Sequence, residues 1–164
     1  MATAYKNLSD FSESEVPSAQ GYKFGIVVSE WNHKVTGALL DGAISTLKNY
    51  GAADEQIITH TVPGTFELST GAQLLLESET FDAVICLGCV VQGETRHFDF
   101  ICNAVSIGIT DVALKYNRPV IFGVLTTDNM QRAIERAGGR HGNKGDEAAV
   151  TAIKMADLAK KLKK

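Results

Sequence analysis

Gly88-Cys89-Val90-Val91-Gln92-Gly93-Glu94-Thr95-Arg96-His97-Phe98-Asp99 is the stretch whose reading decides the fold. It follows the apolar run Ala83-Val84-Ile85-Cys86-Leu87, which reads as a buried strand. Behind it Phe98, Ile101, Cys102, Val105, Ile109 and Val112 recur at helical spacing, which predicts the chain's longest helix over 97–116. A Gly-rich turn carrying a histidine therefore sits where a strand hands over to a helix. Open α/β sheets bind ligands outside the carboxyl ends of their strands. Unpaired N–H groups at a helix start favour a phosphate or carboxylate, and a histidine beside them can move protons near neutral pH. The segment proposes an anionic ligand and acid–base chemistry in one place.

Working outward, the same alternation repeats. Tyr22 to Val28 is an apolar strand candidate. Val35, Leu39, Leu40, Ile44 and Leu47 predict an amphipathic helix over roughly 33–49, with Asn32 as N-cap and Gly51 as its stop. Gln56 to Val62 reads as a second strand, and Thr65 opens a helix through about Glu77. Ala83 to Leu87 is the third strand and Pro119 to Leu125 the fourth. A helix near 129–137 is closed by Gly138-Gly139. The last helix spans about 145–162, with Ala152, Met155, Ala159 and Leu162 on one face. This order predicts a three-layer α/β/α sandwich on a four-stranded parallel sheet. With right-handed crossovers the simplest strand order is flavodoxin-like, 2-1-3-4. Residues 1–20 are polar and read as an arm or strand extension rather than core, and residues 21–164 as a single domain.

Bulk properties exclude several classes. The chain has 164 residues, 45% of them hydrophobic and 21% charged, with a net charge of −3. That suits one soluble domain with its own core and gives no nucleic-acid footprint. The N-terminal residues lack the apolar region of a secretory signal, and no run is expected to span a membrane. Three cysteines, an odd set partly inside apolar stretches, fit a reduced cytoplasmic setting. The basic C-terminal Lys160 to Lys164 suits a helix dipole.

The topology gathers the unusual residues at one sheet edge. Trp31, Pro63 to Glu67, Gly88 to His97, and Thr126 to Asp128 each follow a strand. His97 reads either as a plain helix-start histidine or as a general acid/base. Glu67 is either a helix-favourable carboxylate or an acceptor for polyol hydroxyls. Trp31 is either partly buried or a platform for a heteroaromatic ring. Of Arg132, Arg136, Arg140 and Lys144, one is a candidate phosphate clamp. Cys86-Leu87-Gly88-Cys89 is formally C-x-x-C, but Cys86 lies within a strand, which argues against a redox pair. The four histidines show no metal-ligand spacing. Gly142-Asn143-Lys144-Gly145 lacks the remaining positions of a phosphate loop.

Several of these segments together resemble the 6,7-dimethyl-8-ribityllumazine synthase family. They are Trp31-Asn32, Val62-Pro63-Gly64-Thr65-Phe66-Glu67-Leu68, Gly88 to Phe100, Pro119 to Asp128, Arg136-Ala137-Gly138, and Gly142-Asn143-Lys144-Gly145 with Glu147-Ala148-Ala149. The resemblance covers about residues 20–160. It implies a cofactor-free, metal-free condensation of 5-amino-6-(D-ribitylamino)uracil with 3,4-dihydroxy-2-butanone 4-phosphate, releasing phosphate and water. By the same resemblance His97 is the acid/base, and Trp31 the platform for the pyrimidine. Glu67 and the backbone near Thr65 meet the ribityl chain. Gly93, Glu94, Thr95 and Arg136 hold phosphate. Phe66, Cys89, Val90 and Val91 match further positions that line the substrate site. Phe122, Arg136 and Lys144 would reach into a neighbouring subunit's site.

The family implies a homopentamer, in some members a 60-subunit icosahedral shell that can enclose riboflavin synthase. The short Gly138 to Gly145 connection favours the shell here, and residues 1–20 would add a strand to a neighbour's sheet. Two positions depart from many relatives: Gln92 stands in place of Arg and Cys89 in place of Thr. Two competing readings are an archaeal-type riboflavin synthase, which uses no phosphate, and a non-catalytic flavin-binding shell.

Overall fold

The computed structural model describes residues 7–12 and 15–163. The parts of the predicted arm at 1–6 and 13–14 lie outside the described residues. Four strands, β1 (Phe24–Ser29), β2 (Ile57–Val62), β3 (Ala83–Val91) and β4 (Val120–Thr127), form a parallel sheet in the order β2-β1-β3-β4. Five helices accompany them: α1 (His33–Asn49), α2 (Leu68–Ser78), α3 (His97–Tyr116), α4 (Met130–Ile134) and α5 (Lys144–Leu162). The order and the doubly covered sheet are those expected from the sequence.

Side-chain alternation explains the three layers. Successive strand residues point to opposite faces. Phe24, Ile26, Val28, Ile85 and Leu87 join the core under α1 and α5. Their neighbours Val27, Val84 and Cys86 join the core under α2 and α3. Both central strands, β1 and β3, are almost wholly buried, as parallel strands with helices on both faces must be.

Several boundaries and faces differ from expectation. β3 and β4 run four and two residues beyond their predicted ends, so Gly88 to Val91 is strand rather than turn. Pairing of Gly88 to Val91 with Val124 to Thr127 fixes this. Gly88 is there for close packing, since a Cβ would stand 2.8 Å from Leu68 Cδ1 and 2.9 Å from Thr65. Thr65–Glu67 forms a 3-10 turn before α2 rather than its first turn. The predicted helix near 129–137 shortens to α4. Behind it β5 (Ala137–Gly139) and β6 (Gly142–Asn143) make an antiparallel hairpin that the helical reading missed. Positive φ at Gly138 (98°) and Gly142 (79°) allows that hairpin to fold.

The packed face of α5 is Ala149, Ala152, Ile153 and Ala156, whereas Met155 and Leu162 are exposed. Val16 and Ala19 are buried in the α1/α5 core, so the second half of the predicted arm is core after all. Finally, α3 is long and apolar enough to cross a membrane by length and composition, which the sequence reading did not expect. Its inner face, Val105, Ile109 and Val112, packs on the sheet, and its outer face carries Phe100, Ile107 and Leu114.

Candidate active site

The site forms where the strands end. β1 is prolonged past Ser29 by two hydrogen bonds, from the Glu30 amide to the Val62 carbonyl (2.8 Å) and from Trp31 to Pro63 (3.2 Å). This brings Trp31 beside the Gly64 to Glu67 turn. Asn32 then turns the chain into α1 in the left-handed region, at φ 62°. Asn tolerates that conformation better than most residues. It occupies the N-cap position, but its side chain makes no capping bond. Its side-chain amide instead donates to the Cys89 carbonyl at 2.9 Å, and the Thr65 hydroxyl donates to the same oxygen at 3.4 Å. One carbonyl of β3 thus ties together the ends of β1, β3 and the turn before α2.

Around that tie lies a cleft of about 320 Å³. It is lined by Trp31, Asn32, Gly64 to Glu67, Cys89 to Val91, His97 and Ile101. Eight residues singled out from the sequence meet here: Trp31, Thr65, Phe66, Glu67, Cys89, Val90, Val91 and His97. Trp31 and Phe66 expose apolar rings, at 72% and 54%. The Glu67 carboxylate lies beside Gly64, where an added Cβ would stand 3.0 Å from its Oε2. Asn32 and Ile101 were not foreseen as lining residues. A non-glycine residue at the strand-to-helix corner was the available signal for Asn32.

The turn Gly93 to Arg96 separates this cleft from a second. Val91 and His97 face the first, while Gln92 and Phe98 face the second. Among the described residues, the amides of Gly93, Glu94 and Thr95 have no intramolecular acceptor, and Glu94 and Thr95 are exposed. The Thr95 hydroxyl accepts from the His97 amide at 3.4 Å. None of these turn residues has positive φ. The turn is therefore an open helix start with its first amides unpaired.

The second cleft, about 470 Å³, gathers Arg132, Arg136 and Lys144 with Gln92, Thr127 and Asp128. Three cations of this region are already paired: Arg132 with Asp128 (2.7 Å), Arg140 with Glu135 (3.1 Å) and Lys144 with Glu147 (2.8 Å). Among the described residues the Arg136 guanidinium donates only to the Arg132 carbonyl, at 3.0 Å, and has no carboxylate partner. Arg136 and Lys144 thus meet each other but do not reach the Trp31–His97 cleft of their own chain. Phe122 lines neither cleft; it is half-buried on β4 against the α2/α3 core.

The cysteines do not form a redox pair. Cys86 and Cys89 belong to the cores on opposite faces of the sheet, and all three thiols are free. Burial pushes the Cys86 thiol up to about 12 and the Cys89 thiol up to about 11. The Cys89 side chain is turned into the α1/α5 core, so it is the carbonyl of this residue that serves the site.

The family profile of 6,7-dimethyl-8-ribityllumazine synthase matches residues 21–160. The chain belongs to the 6,7-dimethyl-8-ribityllumazine synthase family. It is 63% identical to the protein of that name from Cytophaga hutchinsonii over 155 residues, covering 94% of this chain and 97% of the relative. It is 56% identical to the Phocaeicola vulgatus protein over 164 residues, covering 100% and 98%. It is 55% identical to the Porphyromonas gingivalis protein over 158 residues, covering 96% and 98%. It sets its most unusual side chains at the carboxyl ends of a parallel sheet.

Proposed function

We propose that this chain condenses 5-amino-6-(D-ribitylamino)uracil with 3,4-dihydroxy-2-butanone 4-phosphate to 6,7-dimethyl-8-ribityllumazine, a transferase step of riboflavin biosynthesis. The observation that carries it is the cleft in which Trp31, Glu67 and His97 converge beside the open amides of Gly93 to Thr95. The pyrimidine stacks on Trp31, with Phe66, Cys89, Val90 and Val91 forming the rest of the ring site. Glu67 and the Thr65 backbone take the ribityl hydroxyls. The phosphate lies on the Gly93-Glu94-Thr95 amides, with Arg136 as its guanidinium partner.

The amine attacks the ketone and loses water to form an imine. Loss of a proton from C3 and of phosphate from C4 leaves an enol that tautomerises to a carbonyl at C3; the ribitylamino nitrogen attacks that carbonyl, and a second water leaves. His97 exchanges the protons of these steps; its place at the cleft wall, next to the open amides, supports that role. No step needs an electron carrier or a metal. Holding two reactants in one cleft supplies much of the rate, since orientation can contribute about 7–11 kcal/mol.

The same reading includes an assembly. Arg136, Lys144 and Phe122 lie away from the Trp31–His97 cleft of their own chain, so a neighbouring copy supplies them. The outer face of α3 exposes Phe100, Ile107 and Leu114 at 66%, 61% and 75%, an apolar stripe that a second copy would cover. We assign a homopentamer, with a 60-subunit shell and an enclosed riboflavin synthase as its further extension. The open, half-buried β2 is the edge on which a neighbour's N-terminal arm would add a strand. Free thiols in the buried cores suit a cytoplasmic location.

Purified protein mixed with both substrates should release lumazine and phosphate in equal amounts. Folded protein that binds flavin but releases neither would overturn the synthase in favour of a binding shell. Native mass spectrometry should show multiples of five chains; a stable monomer with full activity would remove the shared site.

A further inference from the structure

We propose that the segment Asn7 to Asp10 is a strap that positions the Arg136/Lys144 side of the site, with Ser9 as its positioning residue. The inference rests on the phosphate role given to Arg136 above.

The hairpin that carries these cations cannot hold itself. β5 and β6 have three and two residues, and an isolated two-stranded hairpin is marginal in water. Arg136 and Lys144 stand at its two ends and are joined there by a hydrogen bond from the Lys144 amide to the Arg136 carbonyl, at 2.8 Å. The N-terminal segment holds both the tip and β6 from outside. The Leu8 amide donates to the His141 carbonyl at 2.8 Å, and the Asn143 amide donates to Ser9 Oγ at 2.8 Å.

The strap has its own geometry. Asn7 Oδ1 accepts from the Ser9 amide at 2.9 Å, and the Asp10 amide donates to the Asn7 carbonyl at 3.2 Å. This Asx-type turn fixes the Ser9 hydroxyl toward Asn143. Gly142 makes the contact possible: its φ is 79°, and an added Cβ would stand 2.1 Å from Asn7 Oδ1 and 2.7 Å from the Ser9 amide nitrogen. Leu8 is only 5% exposed and lines the cleft with Arg136 and Lys144. An arm resting there by chance would require neither a bare glycine at the hairpin tip nor a side-chain acceptor for the buried Asn143 amide.

Ser9→Ala removes that acceptor and Ser9→Thr keeps it. Three readouts are taken on the full chain: amide exchange at 141–143, KM for each substrate, and kcat. The strap predicts faster exchange at 141–143 in Ser9→Ala. It also predicts an increase of about fivefold in KM for the phosphate substrate, the size of one lost hydrogen bond. The KM for the pyrimidine and kcat should stay near wild type, and Ser9→Thr should restore both altered values. Unchanged exchange in Ser9→Ala overturns the strap. Faster exchange with an unchanged phosphate KM, while Arg136→Ala raises that KM, overturns the positioning role and leaves a structural clip. If Arg136→Ala itself leaves the phosphate KM unmoved, the phosphate assignment fails instead, and the exchange result alone decides the strap.

Discussion

The two clefts on either side of the Gly93 to Arg96 turn are built in opposite ways. The Trp31–His97 cleft is made from the ends of long elements. One carbonyl, Cys89 O, takes two donors from two other segments. Gly88 lets the Thr65 turn close directly onto β3. The Arg136–Lys144 cleft is lined along one side by the end of β4, but its cations are set by the five-residue α4, the seven-residue hairpin segment and the start of α5, with an N-terminal turn beside them. Its order comes from side chains that satisfy single backbone groups, such as Ser9 and Asn143. On the function proposed above, the strand ends and the turn before α2 would position the ring of one substrate, while short local contacts set the cations that would meet the anion of the other. A condensation of two different molecules gains from such a division, because each half tunes its own KM.

The contrast breaks most sharply at the base of the second cleft. There Gly145, the residue after Lys144, packs against α1 so closely that a Cβ would stand 1.9 Å from the Leu39 carbonyl oxygen. Backbone cannot yield as a side chain can, so Gly145→Ala should cost about 3 kcal/mol or more and show a large fall in melting temperature. Gly93→Ala meets open space and carries no positive φ, so its stability should stay within about 0.5 kcal/mol. If both variants melt together, the rigid base of the second cleft is an error.

Catalysis should separate the clefts next. His97→Ala should lower kcat by about 10²-fold, the ordinary contribution of a general acid/base, with both KM values nearly kept. Arg136→Ala should act on the other side. Loss of a charge-assisted contact worth about 1.5–3 kcal/mol should raise the KM of the phosphate substrate roughly 10-fold or more, with the pyrimidine KM unchanged. Steady-state kinetics with each substrate varied in turn reads both. Identical kinetic patterns in the two variants would merge the clefts into one.

Legibility in the sequence follows the same division. α1 and α3 were readable to within about a residue, because long amphipathic periods carry strong signals. The strand order followed from chirality and alternation. Trp31, Thr65, Phe66, Glu67 and His97 were readable because they lie past strand ends, whereas Cys89, Val90 and Val91, inside β3, came from the family resemblance. The hairpin was not, since Ala137 to Asn143 is too short to show a period, and its fold depends on Gly138 and Gly142 adopting positive φ. The end of β3 was misplaced because Gly88 reads as a turn residue, whereas its missing side chain is needed for packing. Asn32 read as a cap because the residue type fits one; its real bond, to Cys89 O, spans 57 positions and leaves no local trace. Burial of Val16 and Ala19 was hidden by the polar residues around them.

A smaller effect tests the tie under the first cleft. Asn32→Gly keeps the left-handed backbone, at φ 62°, but removes the donor to Cys89 O. The loss should be about 1 kcal/mol of stability, read as a shift in denaturation midpoint, with a modest rise in the pyrimidine KM. No change in either would mean that Thr65 alone holds that carbonyl.

The smallest effect is a pH dependence under the first cleft. Burial holds the Cys89 thiol at about 11, above its ordinary value of 9.0. The folded chain therefore keeps a proton that the unfolded chain gives up between these values. Stability from this group is complete below pH 9.0 and declines as pH rises through about 11, because the unfolded state then binds fewer protons. Cys86, pushed to about 12, continues the decline at higher pH. Urea midpoints measured from pH 8 upward should fall in the wild type and fall less steeply in Cys89→Ala. Since Cys89 carries the carbonyl that organises the ring site, alkaline loosening should raise the pyrimidine KM before the phosphate KM. Equal slopes in wild type and Cys89→Ala would remove the thiol as the cause, and the reverse order of KM changes would place the weaker structure in the second cleft.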